Sequence, residues 1–370
     1  MQKFIKPDWK NSILNISATL AEFLGAPNEN ATLPILQKEL AKGYKNVVFM
    51  CFDAMGINPL EINLDKNDFL RRHIVQTLTS TFPSTTTNAT TCLATNKLPL
   101  EHGWFGWSLR IDELGRNVEV YTGKDSQTGE EVERNYPMAD DSDCYFYHAT
   151  RTDYEISTVL PKFVACNPDL NHEIASLDEL FDAVRDKCNK PNKQFVYAYF
   201  TEPDTFMHKN GVTCSETKAL IESISQNLQR LRGETHDTLF IVTADHGQID
   251  VEGYVEIAKD EELMSMLTCA PYLDSRSPAF RVKKGMHQKF AKLFKQRYGK
   301  DFALYKSKDM IKQGYFGDRG DYGYMLGDFI GVGTYTNKMM VLPKYKVDYK
   351  KGHHTSLTKE MLVPLILFNS

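Results

Sequence analysis

The chain has 370 residues, of which 42% are hydrophobic and 25% are charged, so it has the length and composition of a globular protein with a large core. Its formal net charge of −4 argues against a nucleic-acid-binding protein, because that class usually carries a basic surplus. An anionic substrate would therefore have to be held by local positive charge, and bound metal ions are one source of it.

The cysteines and the N-terminal segment lead to an expectation about the compartment. The seven cysteines are scattered without a CxxC pair, which predicts reduced thiols rather than a zinc ribbon or a disulfide framework. The segment MQKFIKPDWKNSIL lacks the apolar run of a signal peptide, and no stretch reaches the roughly 18 apolar residues of a membrane span. We therefore expect a soluble, cytoplasmic protein.

Short apolar runs alternate with helical patterns along much of the chain. The predicted helices cover about 11–24, 32–43, 174–187 and 215–233, and the predicted strands about 47–52, 74–81, 195–200 and 238–247. This alternation predicts an α/β fold with a mostly parallel central sheet and helices on both faces. In such sheets ligands bind beyond the carboxyl ends of the strands, and most of the polar clusters described next follow a predicted strand.

Two regions do not fit this alternation. Residues 108–155 are polar and rich in turn signals, which predicts a loop with room for a hairpin. Residues 251–345 contain short strand-like and helix-like pieces with several glycines, which predicts an inserted cap. The final segment, HHTSLTKEMLVPLILF, predicts a His-rich turn and an apolar element that returns to the core. We therefore expect one domain over residues 1–370, with the cap inserted into it.

Aspartate and histidine residues recur where predicted strands and turns end. Asp245 and His246 are adjacent after an apolar strand, and Asp204 and His208 are spaced to share one face of a helical turn. The same residue types end the first strand and follow a glycine near the C-terminus, at Asp53, His353 and His354. Each piece alone has a structural explanation, such as a helix cap. Their joint placement predicts a site for zinc or another divalent transition metal.

A run of four hydroxyl side chains, residues 84–87, follows Pro83 and precedes a helical pattern. Serine and threonine are favoured helix caps, which alone would explain the run. A helix N-terminus also offers free N–H groups and a positive dipole end to a phosphate. A threonine hydroxyl that is bound to a metal there can attack phosphorus. The residues by themselves do not distinguish among the four hydroxyls.

The chain resembles the alkaline phosphatase superfamily and, within it, the type I phosphodiesterase/nucleotide pyrophosphatase group. The motifs that carry the resemblance occur in the family's order between about residues 46 and 369: FDAMG, FPSTTTNATTCLAT, PLEHG, EPDTFMH, TADHG and GHHTSLTKEMLVPLIL. TADHG together with the C-terminal GHH is the most specific pair, and FDAMG is the least specific. The resemblance thus covers nearly the whole chain and implies a single alkaline-phosphatase-like domain.

The resemblance implies a phosphoester hydrolase with two divalent metal ions, for which zinc is expected and manganese or iron are alternatives. The family's nucleophile lies three residues after the proline of a PSxT string, which corresponds to Thr86 and implies a covalent phosphothreonine-type intermediate. One ion would be bound by Asp204, His208 and His354, and the other by Asp53, Asp245, His246 and Thr86. Helix amides and the Asn88 side chain would stabilise charge on the non-bridging oxygens.

The chain departs from the family pattern at two positions. The family's Gly-x-His-Gly string selects His354 over His353 as a ligand, but Thr355 replaces the second glycine and leaves that choice open. Asn96 stands where relatives usually have glycine after the helix. We expect this to be tolerated, because asparagine accepts left-handed backbone angles better than most residues.

The surroundings of these motifs favour a phosphodiester or a nucleotide pyrophosphate as substrate. A monoester carries one more negative charge, and no arginine or lysine close in sequence to Thr86, Asp204 or Asp245 looks placed to neutralise it. Aromatic side chains are plentiful instead, either as core or as a platform for the leaving group: Trp104, Phe105, Trp107, Tyr197, Tyr199 and Phe200.

Three arginines could reverse this preference if they reach the site, namely Arg276, Arg281 and Arg319. The alternatives are then a phosphomonoesterase or a phosphonate hydrolase on the same residues, and more distantly a non-catalytic metal-binding relative. The expected partner is a small phosphoester, such as a nucleotide, with no nucleic acid and no membrane segment. The oligomeric state stays open.

Overall fold

The structure is a computed structural model that describes residues 3–133, 138, 140–151, 153–162 and 170–370. The strands are β1 Asn46–Phe52, β2 Ile74–Thr79, β3 Ser108–Ile111, β4 Arg116–Glu119, β5 Lys124–Asp125, β6 Glu155–Pro161, β7 Asn171–Ile174, β8 Gln194–Phe200, β9 Thr238–Thr243, β10 Ile249–Asp250, β11 Gly253–Val255, β12 Tyr272–Asp274, β13 Ser277–Phe280, β14 Phe302–Lys306, β15 Phe329–Gly333, β16 Lys338–Met340, β17 Gly352–His353 and β18 Leu362–Asn369. The helices are α1 Ile13–Leu24, α2 Pro34–Leu40, α3 Ile57–Asn63, α4 Phe69–Arg72, α5 Thr86–Thr95, α6 Pro99–His102, α7 Leu177–Cys188, α8 Asp204–Asn210, α9 Ser215–Glu234, α10 Glu261–Met264, α11 His287–Tyr298 and α12 Ser307–Lys312.

Seven strands form the central sheet in the order β2-β18-β9-β1-β8-β6-β7. The pairs from β9 to β7 are parallel, whereas β18 runs antiparallel to both of its neighbours. Every residue of β1, β8 and β9 is buried, as expected of parallel strands that are covered on both faces. The predicted α/β class with a mostly parallel central sheet is confirmed.

All the strands and helices predicted from periodicity are present, with ends that differ by a few residues. The C-terminal apolar segment forms β18, which lies between β2 and β9 in the sheet core. The last two strands on this side of the sheet, β6 and β7, were not predicted, because exposed and polar residues interrupt their apolar pattern. None of the described helices is both long and apolar enough to cross a membrane.

A second sheet contains strands from two distant parts of the chain, in the order β14-β15-β13-β12-β3-β4-β5. The hairpin that the prediction of a loop allowed is present at β3 and β4, and β5 extends it to an antiparallel meander over residues 108–125. These strands are short and polar, and β3 pairs with β12, which lies far along the chain. Residues 134–137, 139 and 152 of the predicted loop lie outside the described residues. The cap bounds of 251–345 stay a prediction.

A buried ion pair connects the two sheets. Arg276 lies in the turn between β12 and β13, and its Nε is 3.3 Å from Oε1 of Glu360, just before β18. Neither side chain is exposed to solvent. The Arg276 backbone N–H also donates to Oγ1 of Thr355 at 3.2 Å. The second sheet is thereby fixed to the segment that leads from the C-terminal histidines into the central sheet.

Candidate active site

Three buried aspartates lie beyond the carboxyl ends of adjacent parallel strands. Asp53 follows β1, Asp204 begins α8 shortly after β8, and Asp245 follows β9. Because β1 lies between β8 and β9, the strand order places these residues side by side. The Asp204 N–H donates to the Asp53 carbonyl oxygen at 3.1 Å, and the Ala54 N–H donates to Oδ1 of Asp245 at 3.0 Å.

The predicted ligands form two adjoining groups. Nε2 of His246 is 3.4 Å from Asp53 Oδ1 and 3.5 Å from Asp245 Oδ2. In the other group, Asp204 Oδ2 is 3.2 Å from Nε2 of His208, and Asp204 Oδ1 is 3.6 Å from Nε2 of His354. The ligand atoms of Asp204, His246 and His354 also lie within 4.8 Å of one another, so the groups are continuous.

Backbone carbonyl groups orient the three imidazoles of this cluster. Nδ1 of His208, His246 and His354 lies 2.7, 2.9 and 2.9 Å from the carbonyl oxygens of Gly352, Gly247 and Ser84, respectively. An Nδ1–H that donates to a carbonyl leaves the Nε2 lone pair directed at the carboxylates. This is the usual arrangement of metal-ligating histidines.

The two neighbouring C-terminal histidines have different surroundings. His354 lies against Asp204, and its ring stacks on that of His246 with the centroids 3.9 Å apart. Nε2 of His353 is instead 3.0 Å from Oδ1 of Asp274, and burial lowers the pKa of His353 to about 3 although Asp274 opposes the shift. One ring nitrogen of His353 lies within 4.8 Å of ring nitrogens of His208 and His354. Nδ1 of His353 has no hydrogen-bond partner among the described residues.

Thr355 adopts a backbone conformation that favours glycine. Its φ of 82° lies in the left-handed region, which is unusual for a β-branched residue. The position therefore has the geometry that the family's glycine would adopt freely, and the Thr355 hydroxyl accepts a hydrogen bond from Arg276 there. Asn96 has a φ of 56° after α5, as expected for an asparagine in place of a glycine.

Thr86 is the first residue of α5, and its hydroxyl faces the ligand cluster. Oγ1 lies 3.3 Å from both carboxylate oxygens of Asp53 and 3.3 Å from Nε2 of His246. Among the other hydroxyls of the run, Ser84 donates to the Ser356 carbonyl, and the buried Thr87 Oγ1 has no partner in the described part of the chain. Thr86 is thus the member of the run that contacts predicted metal ligands.

Asn88 is fully buried, and its Nδ2 donates to the Pro83 carbonyl oxygen at 3.0 Å. This contact supports the start of α5, and Asn88 is absent from the residues that line the cavity described below. Its predicted role in stabilising phosphoryl oxygens stays a prediction.

The buried carboxylates differ in their surroundings: burial opposes ionisation of Asp204, but the neighbouring imidazoles, His208 first, lower its pKa well below its usual range. Burial, together with the charges of Asp245 and Asp204, raises the pKa of Asp53 well above its usual range, and burial raises that of Asp245. Oδ2 of Asp245 is buried without a hydrogen-bond partner in the described chain. Carboxylate oxygens and imidazole nitrogens are ligands that suit zinc and related divalent ions. These residues therefore fit the binding of metal cations.

A cavity of about 1000 Å³ opens over the cluster and contains Thr86 in its wall. Of the aromatic residues noted in the sequence, Trp107 and Tyr199 line it, whereas Phe105 and Tyr197 are buried in the cores. The Tyr199 hydroxyl donates to Oδ2 of Asp53. Tyr121, which the sequence analysis did not single out, also lines the cavity and forms an edge contact with Trp107 at 5.8 Å.

The cations near the site are not the arginines proposed from the sequence. Arg276 is buried against Glu360, Arg281 pairs with Asp112, and Arg319 pairs with Glu101, and none of the three lines the cavity. Four lysines line it instead: Lys209, Lys344, Lys346 and Lys350. Lys209 is close in sequence to Asp204, whereas the other three lysines come from a distant segment, and the sequence analysis singled out none of the four. The fold brings Nζ of Lys350 to 3.2 Å from Nε2 of His208.

Comparison with known families gives one match that spans most of the chain. The family described as type I phosphodiesterase / nucleotide pyrophosphatase matches residues 64–356. The matched residues include Thr86 and every predicted metal ligand except Asp53. No curated protein sequence matches the chain.

Solved structures share the fold at low sequence identity. Murine ectonucleotide pyrophosphatase / phosphodiesterase 5 has a TM-score of 0.63 at 14% identity, with 88% of each chain covered. An inactive variant of it was solved in complex with AMP. Phosphonoacetate hydrolase from Sinorhizobium meliloti, in complex with phosphonoformate, has a TM-score of 0.61 at 15% identity, with 86% of this chain and 89% of that chain covered.

Proposed function

Since the chain belongs to the type I phosphodiesterase / nucleotide pyrophosphatase family, we propose that it hydrolyses phosphodiester or nucleotide pyrophosphate bonds with Thr86 as nucleophile. One observation carries the proposal: Oγ1 of Thr86 lies 3.3 Å from the Asp53 carboxylate and from His246, at a helix N-terminus in the wall of a large cavity. A hydroxyl in this position can reach a phosphoryl group that enters from the cavity.

The proposal assigns two divalent metal ions, preferably zinc, to the adjoining ligand groups. Asp204, His208 and His354 would bind one ion, and the other would be bound by the remaining ligands, Asp53, Asp245, His246 and Thr86. When bound, such ions lower the pKa of a coordinated hydroxyl or water and stabilise negative charge on phosphoryl oxygens. His354 is preferred to His353 because its Nε2 faces Asp204, whereas Nε2 of His353 contacts Asp274.

The residues of the chain would then act in two displacements. Oγ1 of Thr86 forms a bond to phosphorus while the bond to the leaving oxygen breaks. The leaving oxygen keeps the bonding electron pair, and the proton of the threonine hydroxyl passes to solvent water. Asp53, held in place by Tyr199, orients the hydroxyl for this attack. Water then cleaves the phosphothreonine ester and restores the hydroxyl. The free amides in the first turn of α5 face the same region and can stabilise charge on the non-bridging oxygens.

Hydrolysis of a phosphomonoester or a phosphonate is the second candidate, and Lys350 is the observation that favours it. A doubly charged phosphoryl group needs one more neutralising charge than a diester, and the Lys350 ammonium lies 3.2 Å from His208. The aromatic wall of Trp107, Tyr121 and Tyr199 favours the first candidate, because it offers flat surfaces to a base or another aromatic leaving group.

Parallel assays of two chromogenic esters test the proposal. Hydrolysis of bis-p-nitrophenyl phosphate would be compared with that of p-nitrophenyl phosphate in the presence of Zn²⁺ or Mn²⁺, with EDTA as control. The proposal expects faster cleavage of the diester and loss of activity in EDTA. Faster cleavage of the monoester would favour the second candidate, and activity that persists in EDTA after dialysis would contradict a metal-dependent enzyme.

Metal stoichiometry supplies a readout that does not depend on choosing the right substrate. The ligand groups predict two ions per chain, measured by elemental analysis after reconstitution and gel filtration. A stoichiometry of zero in the folded protein would contradict the assignment of both groups.

A further inference from the structure

Residues 343–351, here called the lysine segment, cross the cavity without forming a helix or a strand. The Tyr345 N–H donates to the Ser126 carbonyl oxygen at 3.0 Å, near β5 in the second sheet. At the other end, the Lys351 N–H donates to the His208 carbonyl oxygen at 2.8 Å, in α8. Helix α8 lies at the carboxyl ends of the parallel strands, where Asp53, Asp204 and Asp245 are placed; this part of the molecule is here called the catalytic edge after its proposed role. The segment is therefore attached on both sides of the cavity and occupies a defined place in its wall.

Three lysines of this segment line the cavity, and Lys209 joins them from α8. Nζ of Lys344 is 3.8 Å from Oε1 of Glu119, so its charge is partly balanced. In the part of the chain that the structure describes, no carboxylate lies within ion-pair distance of Lys209, Lys346 or Lys350. The cavity wall thus presents positive charges that other side chains do not neutralise.

Surface lysines are often simply solvated. Whether these lysines give the cavity a net positive charge depends on the acidic residues that also line it. Asp53 and Asp204 belong to the metal-ligand groups, whereas Asp274, whose Oδ1 lies 3.0 Å from Nε2 of His353, contributes a negative charge to the lining. The described lining also contains Glu119, which faces Lys344, and Asp348, so four lysines share the lining with three acidic residues outside the metal-ligand groups. With metal ions balancing the buried aspartates, the four lysines exceed Glu119, Asp274 and Asp348 by one positive charge. Low-dielectric walls concentrate the field of such an excess within a cleft.

We propose that the lysine segment and Lys209 bind a second anionic group of the substrate, a phosphate or a carboxylate, beside the phosphoryl group attacked by Thr86. The proposal rests on the proposed function and deepens it, since it gives the substrate two anionic groups. The defined attachment of the segment supports this, because lysines held at both sides of a cavity lose less freedom on binding than lysines on a free loop.

Matched non-hydrolysable ligands test this without requiring turnover. Calorimetry would measure the affinity of the zinc-loaded protein for phenylphosphonate, 4-phosphonobenzoate and 1,4-phenylenediphosphonate, which differ by one carboxylate or one phosphonate. We expect at least one of the two ligands with a second anionic group to bind about tenfold more tightly than phenylphosphonate, the factor expected of a charge-assisted contact. The ligand that gains more identifies a carboxylate or a phosphate as the second group.

Substitution of two exposed lysines tests whether their side chains cause the tighter binding of the ligands with a second anionic group. The variant Lys209→Gln/Lys346→Gln should reduce the preference to about threefold or less, and higher salt should weaken it in the wild-type protein. Both residues are exposed, so the fold should tolerate the change. Lys308→Gln is the matched control, because Lys308 is an exposed lysine of α12 that does not line the cavity.

The outcomes separate this inference from the proposed function. Equal affinities for all three ligands would overturn the inference, and so would a preference that the double variant retains in full. Cleavage of bis-p-nitrophenyl phosphate would leave the proposed function standing in both cases. If none of the ligands binds the zinc-loaded protein, the second anion site is overturned, and the metal stoichiometry then decides separately about the first.

Discussion

The catalytic edge and the lysine segment form two walls of the same cavity, but they are built differently. Asp53, Asp204 and Asp245 are buried at the ends of parallel strands, and hydrogen bonds between neighbouring segments fix them. The lysine segment is extended and mostly exposed, with 45% of Tyr345 and 50% of Tyr349 accessible to solvent. Substitutions in the buried catalytic edge and substitutions in the exposed lysine segment should therefore have different effects on the protein.

This structural difference matches the two roles proposed above, the chemical step for the catalytic edge and substrate recognition for the lysine segment. The strand ends hold groups that must keep their geometry within tenths of an ångström, and a packed sheet supplies that rigidity. The lysine segment holds charges that act over longer distances and tolerate movement. Substitutions at the edge should therefore change the rate of the chemical step or the metal content, whereas substitutions in the segment should change which ligand is preferred.

The largest expected effect follows from removing the nucleophile. Thr86→Ala should reduce kcat for bis-p-nitrophenyl phosphate by about 10⁴-fold or more, because no other hydroxyl of the run contacts Asp53 among the described residues. Metal content and the melting temperature should stay close to those of the wild type. Thr87→Ala is the neighbouring control, since the Thr87 hydroxyl is buried away from the ligands. Near-normal activity of Thr86→Ala would refute the nucleophile assignment.

A comparison of the adjacent residues His353 and His354 tests which of the two histidines binds a metal ion in the catalytic edge. His354→Ala should remove one of the two metal ions and reduce kcat by about 10²- to 10⁴-fold, since a lost metal costs several kcal/mol of charge stabilisation. His353→Ala should retain both ions and reduce kcat about tenfold, because the His353 ring packs beside His208 and His354 with centroids 5.3 and 4.9 Å away. Elemental analysis of both variants measures the difference. The reverse pattern would make His353 the ligand.

Stability at the junction between the two sheets should be sensitive to the buried ion pair. Arg276→Met leaves the Glu360 carboxylate buried without its partner, which should lower the free energy of unfolding by about 3–5 kcal/mol. Lys190→Gln removes an exposed pair with Glu155 and should cost less than about 1 kcal/mol. Urea denaturation measures both. Equal costs would mean that the buried pair does not hold the sheets together.

The catalytic edge was accessible from the sequence because its signals are local. A buried strand reads as a short apolar run, and its end is marked by the polar residue that follows, as at Asp53 and Asp245. The spacing of Asp204 and His208 likewise encodes a shared face of a helical turn. The family resemblance then singled out Thr86 from a run in which four hydroxyls look alike.

The second sheet and the cavity wall were not accessible, because they depend on contacts between distant residues. The pairing of β3 with β12 joins segments more than 150 positions apart, and the short polar strands show little periodicity. Lys350 reaches His208 only because its segment crosses the cavity. The arginines proposed for this role are engaged by Glu360, Asp112 and Glu101, partners that no sequence pattern indicates.

The smallest expected effect comes from a single methyl group placed under the lysine segment. Gly129 has a φ of 75°, and a Cβ there would lie 2.8 Å from Cδ2 of the Tyr345 ring. Gly129→Ala should therefore lower the free energy of unfolding by about 1–2 kcal/mol through backbone strain. It should also displace Tyr345 from its attachment beside Ser126.

Gly43→Ala is the matched control for this last variant. Gly43 has a φ of 79°, and a Cβ there would meet nothing within 4 Å, so this substitution carries the same kind of backbone strain without a contact to Tyr345. Both variants should lose similar stability, measured by urea denaturation. Only Gly129→Ala should become more sensitive to trypsin at Lys344 and Lys346 and lose part of its preference for ligands with a second anionic group. Identical behaviour would show that the attachment of the lysine segment does not position its charges, and that recognition depends on the lysine side chains alone.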